Sequence, residues 1–147
     1  MRRGVPLVGF TLFALLCTLP VTVSAHVTRI IGDSEYLVIV GFVVEPPYTD
    51  ERNGLDLIVR RASDGEPVPY LEETLFAEII APDGVTKRTL PVRAVYGKPG
   101  YYTADVVLTE PGVYQFRIWG YVHGVEFDEV FATSEVKPLA SLRFPGR

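Results

Sequence analysis

Residues 109–116 read T-E-P-G-V-Y-Q-F. Pro111-Gly112 is a turn dipeptide, and the residues after it alternate apolar and polar. A chain that turns tightly and leaves at once as a strand places Tyr114 at the corner. From there the phenol can bond back to the backbone before the turn and pin a crossover between two sheets. Along the strand that follows, Tyr114, Phe116 and Ile118 share one face, and Gln115, Arg117, Trp119 and Tyr121 share the other. The first face reads as core and the second as solvent-facing. Gly112 and Tyr114 are therefore expected to serve the structure.

The same period of two extends outward from this stretch. Strand-like runs occupy 36–43, 55–59, 74–81, 101–108, 113–122 and 125–131, rich in β-branched and aromatic residues. A weaker run spans 86–95, where Pro91 implies an edge or a bulge. Asn53-Gly54, Asp64-Gly65, Pro82-Asp83-Gly84, Lys98-Pro99-Gly100 and Pro111-Gly112 read as the turns between them. No segment carries an amphipathic helix; 67–73 has room for one short turn. The pattern predicts an all-β fold, a single immunoglobulin-like antiparallel β-sandwich of about seven strands over residues 26–135. Residues 136–147 read as an irregular tail, whose Leu139, Leu142 and Phe144 either dock on the domain or stay free.

The first 25 residues have a different character. A basic head, M-R-R, precedes the apolar run L-V-G-F-T-L-F-A-L-L-C-T-L, then Pro20 and the small-residue end V-S-A. This is the order of a secretory signal peptide, with cleavage expected after Ala25. The alternative is an uncleaved anchor over Val5–Val23, which Gly9 and Pro20 weaken. Removing 25 of 147 residues leaves 122, a chain that suits one extracytoplasmic domain, periplasmic or secreted, with no transmembrane helix. Cys17 leaves with the leader, so the mature chain has no disulfide, thiolate ligand or cysteine nucleophile. Loss of Arg2 and Arg3 leaves 12 basic against 18 acidic residues, a net charge of −6. With no basic stripe, nucleic acid is not an expected partner.

D-G-E-P-V (64–68), A-P-D-G (81–84) and the two "P-G-x-Y" strand openings at 99–102 and 111–114 carry a resemblance. It is to the YtkA-like and CopC-like exported bacterial immunoglobulin-fold domains, over about the last two thirds of the mature chain. The stretch 45–59 is similar to exported proteins with this domain. The YtkA-like group implies a non-catalytic extracytoplasmic module, and the CopC-like group implies a copper carrier. Motifs of this kind specify a fold more than an activity.

The chemistry-bearing residues are few. There is no G-x-S-x-G elbow, H-E-x-x-H or phosphate loop. Carboxylates cluster at Glu72-Glu73 and at Glu126, Asp128 and Glu129, yet acids scattered over a small sandwich usually serve solubility. An enzyme is not expected; a small hydrolase is the remote alternative, needing a pocket with converging acids. A metal site has more to support it. Cleavage after Ala25 frees the His26 amine, which with the imidazole Nδ1 can chelate Cu(II); His123 is the sole second imidazole. The CopC-like resemblance implies these two roles, but Tyr121 stands where that group has an acid two residues before the later histidine. The mature chain also lacks methionine. The shared site requires residues 26–31 to run on into strand 36–43; a hairpin at Gly32-Asp33-Ser34-Glu35 sends His26 to the opposite end. The leading expectation is nevertheless a non-catalytic binding or accessory module, with the copper carrier as its alternative, and Trp119 and Tyr121 are the first place to look for a partner. Neighbouring aromatics on a polar face mark a surface for an unknown protein or envelope partner, unless a strand or the tail covers them.

Overall fold

A computed structural model describes residues 25–145. The expected leader, apart from Ala25, lies outside the described residues, and so does Cys17. Among the described residues, nine strands form two antiparallel sheets. They are β1 (His26–Ile31), β2 (Tyr36–Phe42), β3 (Arg52–Arg61), β4 (Leu75–Ile80), β5 (Lys87–Leu90), β6 (Arg93–Ala94), β7 (Tyr101–Val107), β8 (Gly112–Val122) and β9 (Val125–Val136). One sheet has the order β1-β2-β3-β7-β6, and the other β5-β4-β8-β9. Apart from the added β1, this is the strand order of an immunoglobulin-like sandwich. Among the described residues no helix is long and apolar enough to cross a membrane.

Alternation builds the core. Val38, Val40 and Phe42 of β2, Leu55, Leu57 and Val59 of β3, and Tyr102 and Ala104 of β7 point inward. They meet Leu75 and Ala77 of β4, Phe116 and Ile118 of β8, and Phe131 of β9. Phe42 and Phe116 touch edge to face across the middle, with ring centroids 5.4 Å apart. Tyr102 carries a buried phenol at the end of this layer; its hydroxyl donates to the Val68 carbonyl at 2.6 Å and accepts from the Leu71 amide at 3.1 Å. Burial raises its pKa above the usual tyrosine value, against the lowering effect of the Leu71 bond.

The strand count exceeds the expected seven for two physical reasons. First, residues 26–31 form β1, which pairs back on β2 from His26↔Gly41 to Ile31↔Tyr36. Gly32 and Ser34 adopt left-handed backbone in the intervening turn. Second, the weak run 86–95 divides at Pro91. Its first half pairs with β4 in one sheet and its second half with β7 in the other, so the proline marks a switch between layers.

Asn53-Gly54 is a correction. It reads as a turn but lies inside β3, paired with Val106 and Asp105 of β7. The Asn53 amide is buried and spends its polarity on a distant backbone, accepting from Val44 N–H and donating to Val44 C=O, both at 3.0 Å. Gly54 lets the Ala104 carbonyl come within 2.6 Å of where a Cβ would stand.

The segment after β2 leaves its sheet, bonds to the end of β9 (Thr49 N–H to Lys137 C=O, 2.9 Å) and returns as β3. Leu139 N–H also bonds Thr49 Oγ1 at 3.2 Å, which ties down the start of the tail. One 3₁₀ turn follows at Leu139–Leu142. Leu142 and Phe144 do not dock; Phe144 is 97% exposed.

Candidate functional site

β8 carries the aromatic pair that the alternation places outward. Trp119 stands between Phe76 of β4 and Asp128 of β9 in register. The Phe76 and Trp119 rings stack at 5.8 Å with a 25° interplanar angle. Arg117, two residues back on the same face, holds its guanidinium 5.0 Å above the Trp119 ring. That guanidinium also grips Asp128 through two N–H donors, Nε to Oδ1 at 2.8 Å being one. The bond holds the Asp128 carboxyl below its ordinary range and pushes Arg117 upward. Solvent screening keeps the pair's contribution to stability small. Tyr121 lies 3.3 Å from Glu126 Oε1 on the neighbouring strand.

Neighbouring strands therefore cover part of Trp119, while Phe76 and Tyr121 each stay 47% exposed. The tail leaves from the far end of β9. From Asp128 to Val136 at ~3.3 Å per residue is more than about 20 Å. What results is a short aromatic ladder, Phe76 stacked on Trp119 with Tyr121 beyond it on the same face, edged by charge and open to solvent along Phe76 and Tyr121.

The two histidines are not brought together. The turn 32–35 reverses the chain, so His26 sits opposite Gly41 while His123 lies at the other pole. His123 occupies the β8–β9 turn with left-handed backbone beside Gly124, and its ring meets Tyr36 edge to face at 6.1 Å. Tyr36 faces Ile31, five residues from His26, which separates the histidines by about 16 Å along the strand. Bonds of ~2 Å from one ion cannot bridge that gap, so this arrangement follows the hairpin alternative at Gly32-Asp33-Ser34-Glu35, in which the two imidazoles do not share one Cu(II) within a chain. His26 instead lays its ring over Gly41 and places Nε2 3.0 Å from Asp56 Oδ2 on β3. A Cβ on Gly41 would stand 2.7 Å from the imidazole Cδ2, so the glycine makes the space for the ring. Among the described residues, no three His, Cys, Asp or Glu side chains stand together as a metal would need.

At the corner, the Tyr114 hydroxyl donates to Glu110 C=O at 2.9 Å, and the Glu110 amide lies within 3.3 Å of the same oxygen. Gly112 opens β8 with φ +131°, and a Cβ there would press on Pro82 at 3.0 Å.

The surface also carries concavities that no local sequence pattern announces, among them two bordered by β7. A groove of about 470 Å³ runs over β3, β7 and β6, beside Val43 and Val44. On its rim Arg52 and Arg93 converge on Asp105, at 3.2 and 2.9 Å, so two guanidiniums share one carboxylate. The other concavity lies at the His123 pole, around Glu72. Neither has a local signal, because each is assembled from segments that only the fold makes neighbours.

No protein-family model matches the chain, and no curated protein matches it. Among solved structures, one similar in shape is a DUF4785-family protein from Legionella pneumophila, at 10% identity and a TM-score of 0.49. The match covers 74% of this chain, which spans 30% of the length of that protein. The Lin-41 filamin domain matches 63% of this chain and 88% of its own, at 16% identity and a TM-score of 0.38.

Proposed function

We propose that this protein is an exported, non-catalytic β-sandwich module of the cell envelope or exterior that works by binding. The observation that carries this reading is the Phe76–Trp119–Tyr121 ladder, an apolar surface on an outward sheet face. Aromatic rings beside Arg117, rimmed by Asp128 and Glu126, have the composition of a protein-contact surface, where aromatics and arginine are enriched. The basic head, apolar run and V-S-A end of residues 1–25 support export. The lack of catalytic motifs and the dispersal of the histidines support a non-catalytic role.

The test is the double variant Trp119→Ala/Tyr121→Ala, compared with wild type by cross-linking and pull-down from the exported fraction. A partner captured by wild type and lost by the variant is the expected result. Identical capture by both proteins removes this face from consideration. Mass spectrometry of the exported chain tests the other half, with His26 expected as the first residue.

A further inference from the structure

At the pole opposite Ala25 and Lys137, segments 69–72 and 94–102 border an open cleft of about 290 Å³. Pro69 and Pro99 wall it, together with the rings of Tyr70 and Tyr101. Tyr70 has φ +64°, a left-handed conformation that costs an aromatic residue of the order of 1 kcal/mol or more. That backbone leaves the Tyr70 side chain 86% exposed on the rim. A bulky ring in a strained conformation, facing water, gives the fold nothing that glycine would not give better.

Glu72 is half-buried and lines the same cleft, and one oxygen of its carboxylate has no partner. Its Oε2 is buried with no hydrogen-bond partner. The nearby Tyr102 hydroxyl cannot supply one, because its only hydrogen is given to Val68 C=O. No lysine, arginine or histidine forms an ion pair with Glu72 among the described residues. A buried carboxylate oxygen without a donor calls for a missing partner. Lys98, which also lines the cleft, holds its ammonium 5.8 Å over the Tyr101 ring without reaching Glu72. Arg60 lies at the same distance from the Tyr101 ring centroid, 5.8 Å, and donates to the Tyr101 hydroxyl at 3.0 Å, so two internal cations already flank this ring.

We propose that the cleft formed by Tyr70, Tyr101 and Glu72 binds an alkylammonium group. The tyrosine faces and the proline walls take its methyl or methylene groups, and Glu72 supplies the counter-charge. The shared chemistry is a positively charged nitrogen clothed in carbon, which a quaternary ammonium headgroup or a lysine side chain can present. This site is separate from the Trp119 face and stands whether or not that face binds a partner.

The experiment is a two-dimensional amide NMR titration of the mature chain with tetramethylammonium chloride and, separately, with N-acetyl-lysine methylamide. Sodium chloride at matched ionic strength is the control. Saturable shifts centred on residues 69–72 and 97–101 are expected, and the tighter probe identifies the source of the ammonium. Glu72→Gln should weaken binding about fivefold or more, the loss of an interaction of ordinary cation-recognition strength. Lys98→Met should tighten it by removing one of the two internal cations beside Tyr101, the one that makes no hydrogen bond to the ring's hydroxyl. Tyr70→Gly relieves the strained backbone, so it should raise the melting temperature while weakening binding. Shifts no larger than those in sodium chloride with both probes overturn the proposal, as does wild-type affinity in Glu72→Gln and Tyr70→Gly.

Discussion

The Tyr114 hydroxyl reaches back four residues to the Glu110 backbone, donating to its carbonyl at 2.9 Å across the Pro111-Gly112 turn. This bond joins the end of the β7–β8 crossover to the first turn of β8, so it fixes where the chain enters the second sheet. Tyr114→Phe keeps the buried ring and removes only the oxygen. The expected cost is about 1–2 kcal/mol, the range for a hydrogen bond lost from a half-buried backbone group. Urea unfolding at neutral pH checks it; stability equal to wild type would show the corner to be held by packing alone.

Much of the fold is legible because one-sided burial writes itself into the sequence. β8 alternates cleanly since Tyr114, Phe116 and Ile118 all face the opposing sheet. β1 is less legible because Arg29 sits in register with inward Val38, on the inner side of an edge strand. The flank is open there, and Arg29 reaches Glu129 at 4.0 Å and the Phe131 ring at 5.9 Å, so a charge replaces an apolar residue. Asn53-Gly54 misleads for a related reason. Its amide is satisfied by Val44, nine positions away, which no local pattern can show. Pro91 announces a break but not that the halves belong to opposite sheets. The aromatic ladder was half visible, as Trp119 and Tyr121 share a strand, whereas Phe76 and Asp128 join it only through register. The Glu72 cleft was not visible, because residues 70–72 and 98–101 meet only through the fold.

Gly120 and Gly124 separate two costs of adding a methyl group. Both have positive φ, +129° and +89°. A Cβ on Gly124 meets nothing within 4 Å, whereas one on Gly120 would overlap the Thr74 carbonyl oxygen. That carbonyl accepts from Tyr121 N–H at 3.0 Å, while Thr74 Oγ1 donates to Tyr121 C=O at 2.9 Å. Gly124→Ala should cost about 1 kcal/mol through backbone strain alone. Gly120→Ala should cost about 2–4 kcal/mol, because the clash displaces β4 from β8 as well. Equal melting temperatures for the two variants would contradict the close approach at Gly120.

The hairpin that separates the histidines sets an expectation for copper. Any Cu(II) held by an exposed His26 amine and its imidazole has no help from His123 in the same molecule. A mature chain and its His123→Ala variant should therefore give the same Cu(II) dissociation constant and the same electron paramagnetic resonance spectrum. A nitrogen ligand lost from the spectrum of the variant would require the two ends of the sandwich to meet.

Alkaline pH should weaken the fold through two phenols. Burial pushes the pKa values of Tyr102 and Tyr114 above the ordinary 10.0, more than their hydrogen bonds to Leu71 and Glu110 lower them. In the unfolded chain both phenols ionise near 10, while the folded chain still holds their protons. The unfolded state then binds fewer protons, so stability falls as pH rises above about 10 and continues to fall until the folded phenols ionise too. Each group contributes a slope of at most about 1.4 kcal/mol per pH unit in that window. Below pH 10 neither contributes a slope. Unfolding free energies measured on either side of pH 10 should show this decline, and Tyr102→Phe, which removes the more deeply placed phenol, should make it shallower. A decline of equal steepness in Tyr102→Phe would assign the alkaline loss to other groups.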